Sequence, residues 1–148
     1  TVIAHGDYRL DNTVVGGDGK VRAVLDWELC TLGDPLADLG TFSAYWADRP
    51  ESDDATPAPP ARMLPATALP GFPRRAELAE RYAKASGRDV SDLPYYVAFA
   101  MWKLACIVEG VFVRYATGAM GSDTSGAEMF ARSVIDRAEA AKRALAQL

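Results

Sequence analysis

The sequence predicts an α+β domain, mainly α, in which a short β-hairpin region precedes about four helices. Three observations carry this. The β-branched runs fall within the first 27 residues, four segments of helical character follow residue 34, and a proline-crowded stretch separates the first of these from the rest. With 148 residues and 49% hydrophobic content, the chain reads as one domain over 1–148 with its own core.

The elements follow in order. TVIA (1–4), TVV (13–15) and VRAVLDW (21–27) are short strands, and GGDGK (16–20) is a Gly/Asp turn that closes a hairpin between the last two. In GDPLADLGTFSAYW (33–46), Asp34 stands at the N-cap position and Pro35 at the first helical position, where a missing N–H costs nothing. Leu36, Leu39, Phe42 or Ser43, and Trp46 then repeat at helical spacing, which predicts a helix over 35–48. Residues 49–73 hold seven of the nine prolines and are expected to form a Pro-rich loop without regular structure. Its acidic group, Glu51, Asp53 and Asp54, reads as solvated. Residues 74–86 form a helix stopped by Gly87. Ser91 is the expected cap of the next helix, whose apolar stretch 95–115 reads as a buried core helix and ends before Gly118 and Gly121. A last helix over 125–146 carries one apolar stripe from Met129 and Phe130 through Val134, Ala138 and Ala141 to Leu145.

Charge and composition narrow the partners. The net charge of −4 implies no basic face, so no nucleic acid and no anionic membrane are expected. The stretch 95–115 carries Lys103, Glu109 and Arg114, each costly in a bilayer. Cys30 and Cys106 read as reduced, buried thiols of a cytoplasmic protein. One His and two scattered Cys cannot supply a zinc site, which also counts against a metal-dependent hydrolase built on His5 and Asp7.

The residues that carry chemistry lie at the start. Asp7 and Asn12 stand at the two ends of one loop, and the hairpin returns Asp26 close to Asn12. Asp and Asn each suit turns on their own account. Together, two carboxylates and a carboxamide converging on one point suit Mg²⁺, a cation that takes a few protein oxygens and leaves the rest of its shell to water and phosphate. Phosphoryl transfer uses such a set, with a base Asp five residues before a metal-binding Asn and a metal-binding Asp one hairpin later. Asp7 to Asn12 is also five, and Asp26 follows a hairpin. Glu28 assists a metal or caps a turn.

HGDYRLDN, followed by VLDWE and GDPLADL, resembles the aminoglycoside phosphotransferase family, a branch of the protein-kinase-like fold. GFPRRAELAERYAKASGRDVSDLPYYVAFAMWKLACIVEGVFVRYATGA is similar to the subgroup fused to acyl-CoA dehydrogenases. The resemblance covers nearly the whole chain outside the Pro-rich loop. It implies the C-terminal lobe of a kinase-like fold, with Asp7 as catalytic base and Asn12 and Asp26 as ligands of Mg²⁺ and, through it, of the ATP phosphates. It implies structural support of the loop from His5 and Asp38. Arg9 lies two residues after Asp7, where protein kinases often carry a Lys that touches the transferred phosphate.

The implied function is an ATP-dependent (or GTP-dependent) phosphotransferase whose partner is a small-molecule hydroxyl, hydroxyacyl-type or aminoglycoside-like. The competing expectation is a non-catalytic, pseudokinase-like binding module of the same fold. The family's N-terminal nucleotide-binding lobe, with its phosphate-covering loop and strand Lys, has no counterpart before Asp7. The chain is therefore expected to be a fragment, inactive alone, that works with the missing lobe in cis. The apolar surface that such a lobe would cover also favours a homodimer.

Overall fold

The opening residues build two small antiparallel pairs rather than one sheet. The structure is a computed structural model and describes residues 1–49, 64–121 and 126–148. Strand β2 (Thr13–Val15) hairpins onto β3 (Val21–Val24), with Thr13 opposite Val24 and an irregularity at Val14/Val15. The first strand, β1 (Val2–Ala4), does not join them. It pairs with β4 (Thr31–Gly33), Val2 opposite Gly33 and Ala4 opposite Thr31. The sequence does not announce β4, because Thr-Leu-Gly has neither the length nor the alternation of a strand and is defined by its partner. The expected third strand stops at Val24 instead of running to Trp27. Asp26 takes a left-handed conformation (φ 65°) and turns the chain into a 3-10 turn at Trp27–Leu29.

Helix α1 (Leu36–Tyr45) starts where Asp34 Oδ1 accepts the Leu36 N–H at 2.8 Å. It stops three residues short of the expected end, because the residues after it have other partners. The Trp46 indole N–H donates to the Pro73 carbonyl (2.9 Å), and Thr67 Oγ1 bonds both the N–H and the C=O of Ala47. Thr67 lies in a short 3-10 turn, Ala66–Ala68, inside the expected Pro-rich loop, so that this part of 49–73 is ordered, with Thr67 and Ala68 buried. Positions 50–63, with Glu51, Asp53 and Asp54, lie outside the described residues.

Helix α2 (Arg75–Ser86) ends at Gly87 in the left-handed region, φ 68°. Its start is held by Asp48, which accepts the Arg75 backbone N–H (2.8 Å) and Nε (3.0 Å). Burial alone would raise the Asp48 carboxyl, but these two bonds and the charges of Arg75 and Arg74 outweigh it and hold the group below the ordinary carboxylate value. Helix α3 (Leu93–Ala116) begins after Asp92. Ser91, expected as its cap, bonds Asp89 instead. Helix α4 (Ala127–Leu145) closes the fold; residues 122–125, where its expected start falls, lie outside the described set.

The core is a seam of α1, α3 and α4, with α3 between the other two. Small residues let the helices approach: Ala98, Ala100 and Ala105 on α3 and Ala141 and Ala144 on α4 are buried beside Leu36, Leu39 and Leu104. Gly40 marks the tightest crossing, since a Cβ there would stand 2.6 Å from the backbone carbon and oxygen of Tyr96. The apolar stretch is therefore not buried all round. Phe99, Trp102, Ile107 and Val113 are exposed, as are Met129 and Leu145 from the expected stripe on α4. Cys30 and Cys106 are free thiols but exposed, not buried. By length and composition alone α3 could cross a membrane. In this fold its middle is tied to the opening loop by a polar bond described below.

Candidate active site

The loop after β1 is held from several directions. The Asp38 carboxylate, in the first turn of α1, accepts the backbone N–H of His5 (2.7 Å) and of Gly6 (2.8 Å). Anion–amide bonds of this kind are shorter and stronger than neutral ones. His5 is 2% exposed, and its ring bridges two segments. Nε2 lies 2.8 Å from the Leu25 carbonyl, and Nδ1 accepts the Asp7 N–H at 3.3 Å. That pattern assigns the Nε2–H tautomer, because one nitrogen faces an acceptor and the other a donor. The Trp27 ring covers the imidazole at 4.7 Å between centroids and donates its own N–H to the Val24 carbonyl.

Gly6 adopts φ +85°, and a Cβ there would collide with the Leu29 carbonyl and stand 3.0 Å from its carbon. Only glycine fits so close a passage between loop and turn.

Asp7 and Asn12 meet. The Asn12 side-chain amide donates to the Asp7 backbone carbonyl (2.9 Å) and to Asp7 Oδ2 (3.2 Å), and Asn12 is buried. Its 3-10 turn, Leu10–Asn12, leads straight into β2. The Leu25 N–H donates to the Asn12 carbonyl at 2.8 Å, which sets Asp26 one residue beyond a direct backbone contact with Asn12. Asp26 and Glu28 are exposed, and neither carboxylate has a partner among the described residues. Among those residues no three His, Cys, Asp or Glu side chains gather as a metal-binding group.

Arg9 turns back over this loop. Its Nε lies 3.6 Å from Asp7 Oδ2, one terminal nitrogen lies 3.8 Å from Asp11, and the guanidinium stands 4.9 Å from the centre of the Tyr45 ring. Nε is buried with no hydrogen bond within reach.

Two features escape sequence reasoning. Lys103, from the middle of α3, donates to the Gly6 carbonyl at 2.7 Å across 97 positions of sequence; its only sequence signal was a charge inside an apolar run. Beside the loop opens a cleft of about 450 Å³ lined by Tyr8, Phe42, Leu78 and Tyr82.

The structure thus joins Asp7 to Asn12 directly, while Asp26 is tied to them only through the backbone bond of its neighbour Leu25 to Asn12. Residues 1–96 match the phosphotransferase enzyme family, and the chain belongs to that family. Over 127 residues it is 36% identical to acyl-CoA dehydrogenase family member 11 of Homo sapiens, covering 83% of this chain and 15% of that one. It is 37% identical over 128 residues to family member 10 of Mus musculus, covering 84% and 12%. The match to family member 11 of Gallus gallus is 31% over 140 residues, covering 93% and 17%. The chain thus spans less than a fifth of the length of these relatives. No solved structure matches it significantly.

Proposed function

We propose that this chain is the C-terminal catalytic lobe of a kinase-like phosphotransferase that moves a phosphoryl group from ATP to a small-molecule hydroxyl. The observation that carries the reading is the braced loop. Asp38 fixes the His5 and Gly6 amides, and the Asn12 amide N–H donates to Asp7, so an acidic side chain is held at a set point beside a carboxamide whose backbone meets the strand end before the Asp26 turn.

In this reading Asp7 orients the acceptor hydroxyl and takes its proton as the oxygen–phosphorus bond forms and the bond to the departing ADP breaks. Positioning is most of the catalysis in such chemistry. The donor set fits Mg²⁺: it is all oxygen, and the Asp26 and Glu28 carboxylates have no competing partner among the described residues. Asn12 and Asp26 would hold the ion, with Glu28 in support, and the bound ion would neutralise charge on the phosphates. Arg9, whose guanidinium lies beside Asp7, would meet the transferred phosphoryl group through its terminal nitrogens. The cleft at Tyr8 is mostly apolar, which favours a hydroxyacyl acceptor, free or as a thioester, over a polycationic aminoglycoside.

The test is ATP consumption by the full-length protein against hydroxyacyl thioesters, aminoglycosides and simple alcohols. Asp7→Asn should lower turnover by about 10²–10⁴-fold, the usual weight of a positioned acid or base. Absence of turnover with every acceptor, or an Asp7→Asn variant as active as the parent, removes the reading and leaves a binding module of the same fold.

A further inference from the structure

Lys103 is a charge that its own surroundings do not explain. It lies near the centre of α3, with Leu104 and Ala105 buried beside it and an apolar run on either side. A half-buried ammonium is costly unless a partner receives it. The partner is a backbone oxygen, Gly6 O at 2.7 Å, rather than a carboxylate. Elements nearly a hundred residues apart are thereby joined at one peptide group.

That peptide links Gly6 to Asp7. Its carbonyl is held by Lys103, and its N–H, belonging to Asp7, points to His5 Nδ1. The N–H groups of the two preceding residues go to Asp38. Asp38 and Lys103 therefore grip Gly6 from opposite ends, one from α1 and one from α3, and these two helices pack against each other. Gly6 is also the residue with the greatest torsional freedom in the loop, and it sits at φ +85°. An uncompensated change in the torsions of Gly6 would displace the Gly6 carbonyl and turn the Asp7 backbone, and with it the Asp7 side chain, to a new direction. Asp38 restrains the torsions before that peptide; Lys103 restrains the peptide itself.

We infer that Lys103 is a positioning residue for the active loop: by holding the Gly6 carbonyl it fixes the direction in which Asp7 presents its carboxylate. The inference rests on the reading of Asp7 as the group that handles the acceptor hydroxyl. It gives the charge in α3 a role beside that of Asn12, which bonds the Asp7 carbonyl and Oδ2, and it couples the α1–α3 crossing to the geometry of the site.

The test uses the full-length protein with Lys103→Met, Lys103→Gln and Lys103→Arg. Two quantities are read: amide hydrogen exchange in a peptide covering residues 4–8, which needs no ligand, and kcat and KM with Mg-ATP and the best acceptor from the panel above. Lys103→Met should speed exchange at the loop amides about tenfold or more. It should also lower kcat by about 10–100-fold, the scale of a misplacement near 1 Å, with KM for ATP within about threefold. Lys103→Arg, which keeps charge and donors, should recover most of both. If the Met variant does not fold, the Gln and Arg variants decide by the same ranking. Parental exchange and kcat in the folded Met or Gln variant would overturn the inference, as would a kcat loss matched by an equal rise in KM. If the parent and Asp7→Asn consume ATP alike, the catalytic reading itself fails, and exchange alone then shows whether Lys103 holds the loop.

Discussion

Alanine at position 6 tests the packing of the loop after β1 where it passes closest to the Leu29 turn. Gly6 sits at φ +85°, and a Cβ added there would press into the Leu29 carbonyl, 3.0 Å from its carbon and from the Leu29 Cβ. Non-bonded carbons rest at about 3.5–4.0 Å, so the loop and the 3-10 turn must part by roughly half an ångström or more. The left-handed backbone costs an L-residue about 1–2 kcal/mol, and forcing atoms into a filled space costs about 1–3 kcal/mol. Alanine also narrows the unfolded ensemble, but that benefit of about 0.4–1 kcal/mol appears only where the native backbone suits it. Gly6→Ala should therefore destabilise the fold by about 2–4 kcal/mol. Urea unfolding followed by tryptophan fluorescence is a direct assay, since Trp27 packs on His5 at the same spot. Turnover should fall at least as far as in Lys103→Met, because the same peptide is displaced. An unfolding midpoint and kcat both unchanged would show that the Gly6–Leu29 approach is looser than described and would refute the reasoning.

Three further outcomes follow from the same geometry. Asp38→Asn keeps one acceptor but turns an NH₂ toward the second amide, so stability should drop by about 2–3 kcal/mol, with faster exchange at His5 and Gly6 by mass spectrometry. Gly40→Ala places a methyl 2.6 Å from the Tyr96 backbone and should cost about 1–3 kcal/mol in a urea melt by separating α1 from α3. The Asp48 carboxyl is held below its ordinary value in the folded state, so its contribution is present above that value and is lost as pH falls through the folded one. Stability measured from pH 7 down to pH 3 should show this loss at the acid end, and Asp48→Asn should be weaker at pH 7 with a shallower acid decline.

Local signals carried much of the fold. Pro35 behind Asp34, Gly87 after a charged helix, and the Gly/Asp turn at 16–20 each marked an element that the structure contains. What escaped were features defined by a distant partner. Strand β4 exists because β1 lies beside it, and α1 stops at Tyr45 because Trp46 and Ala47 bond to Pro73 and Thr67. The exposed faces of α3 and the exposed thiols were misread for a related reason: hydropathy reports what a residue can bury, not what is available to cover it. At the site, the spacing of Asp7, Asn12 and Asp26 was legible because one loop and one hairpin join them. Lys103 was not, since nothing local distinguishes a lysine that meets a backbone carbonyl 97 positions away from one that reaches solvent.

The bonds from Trp46, Ala47 and Asp48 to Pro73, Thr67 and Arg75 have a consequence for the cleft beside Tyr8. They set the end of α1 against the start of α2 across 20 to 27 positions of sequence. Phe42 lines that cleft from α1, and Leu78 and Tyr82 line it from α2. The width of the cleft is therefore governed at this polar junction, away from the bonds that hold Asp7.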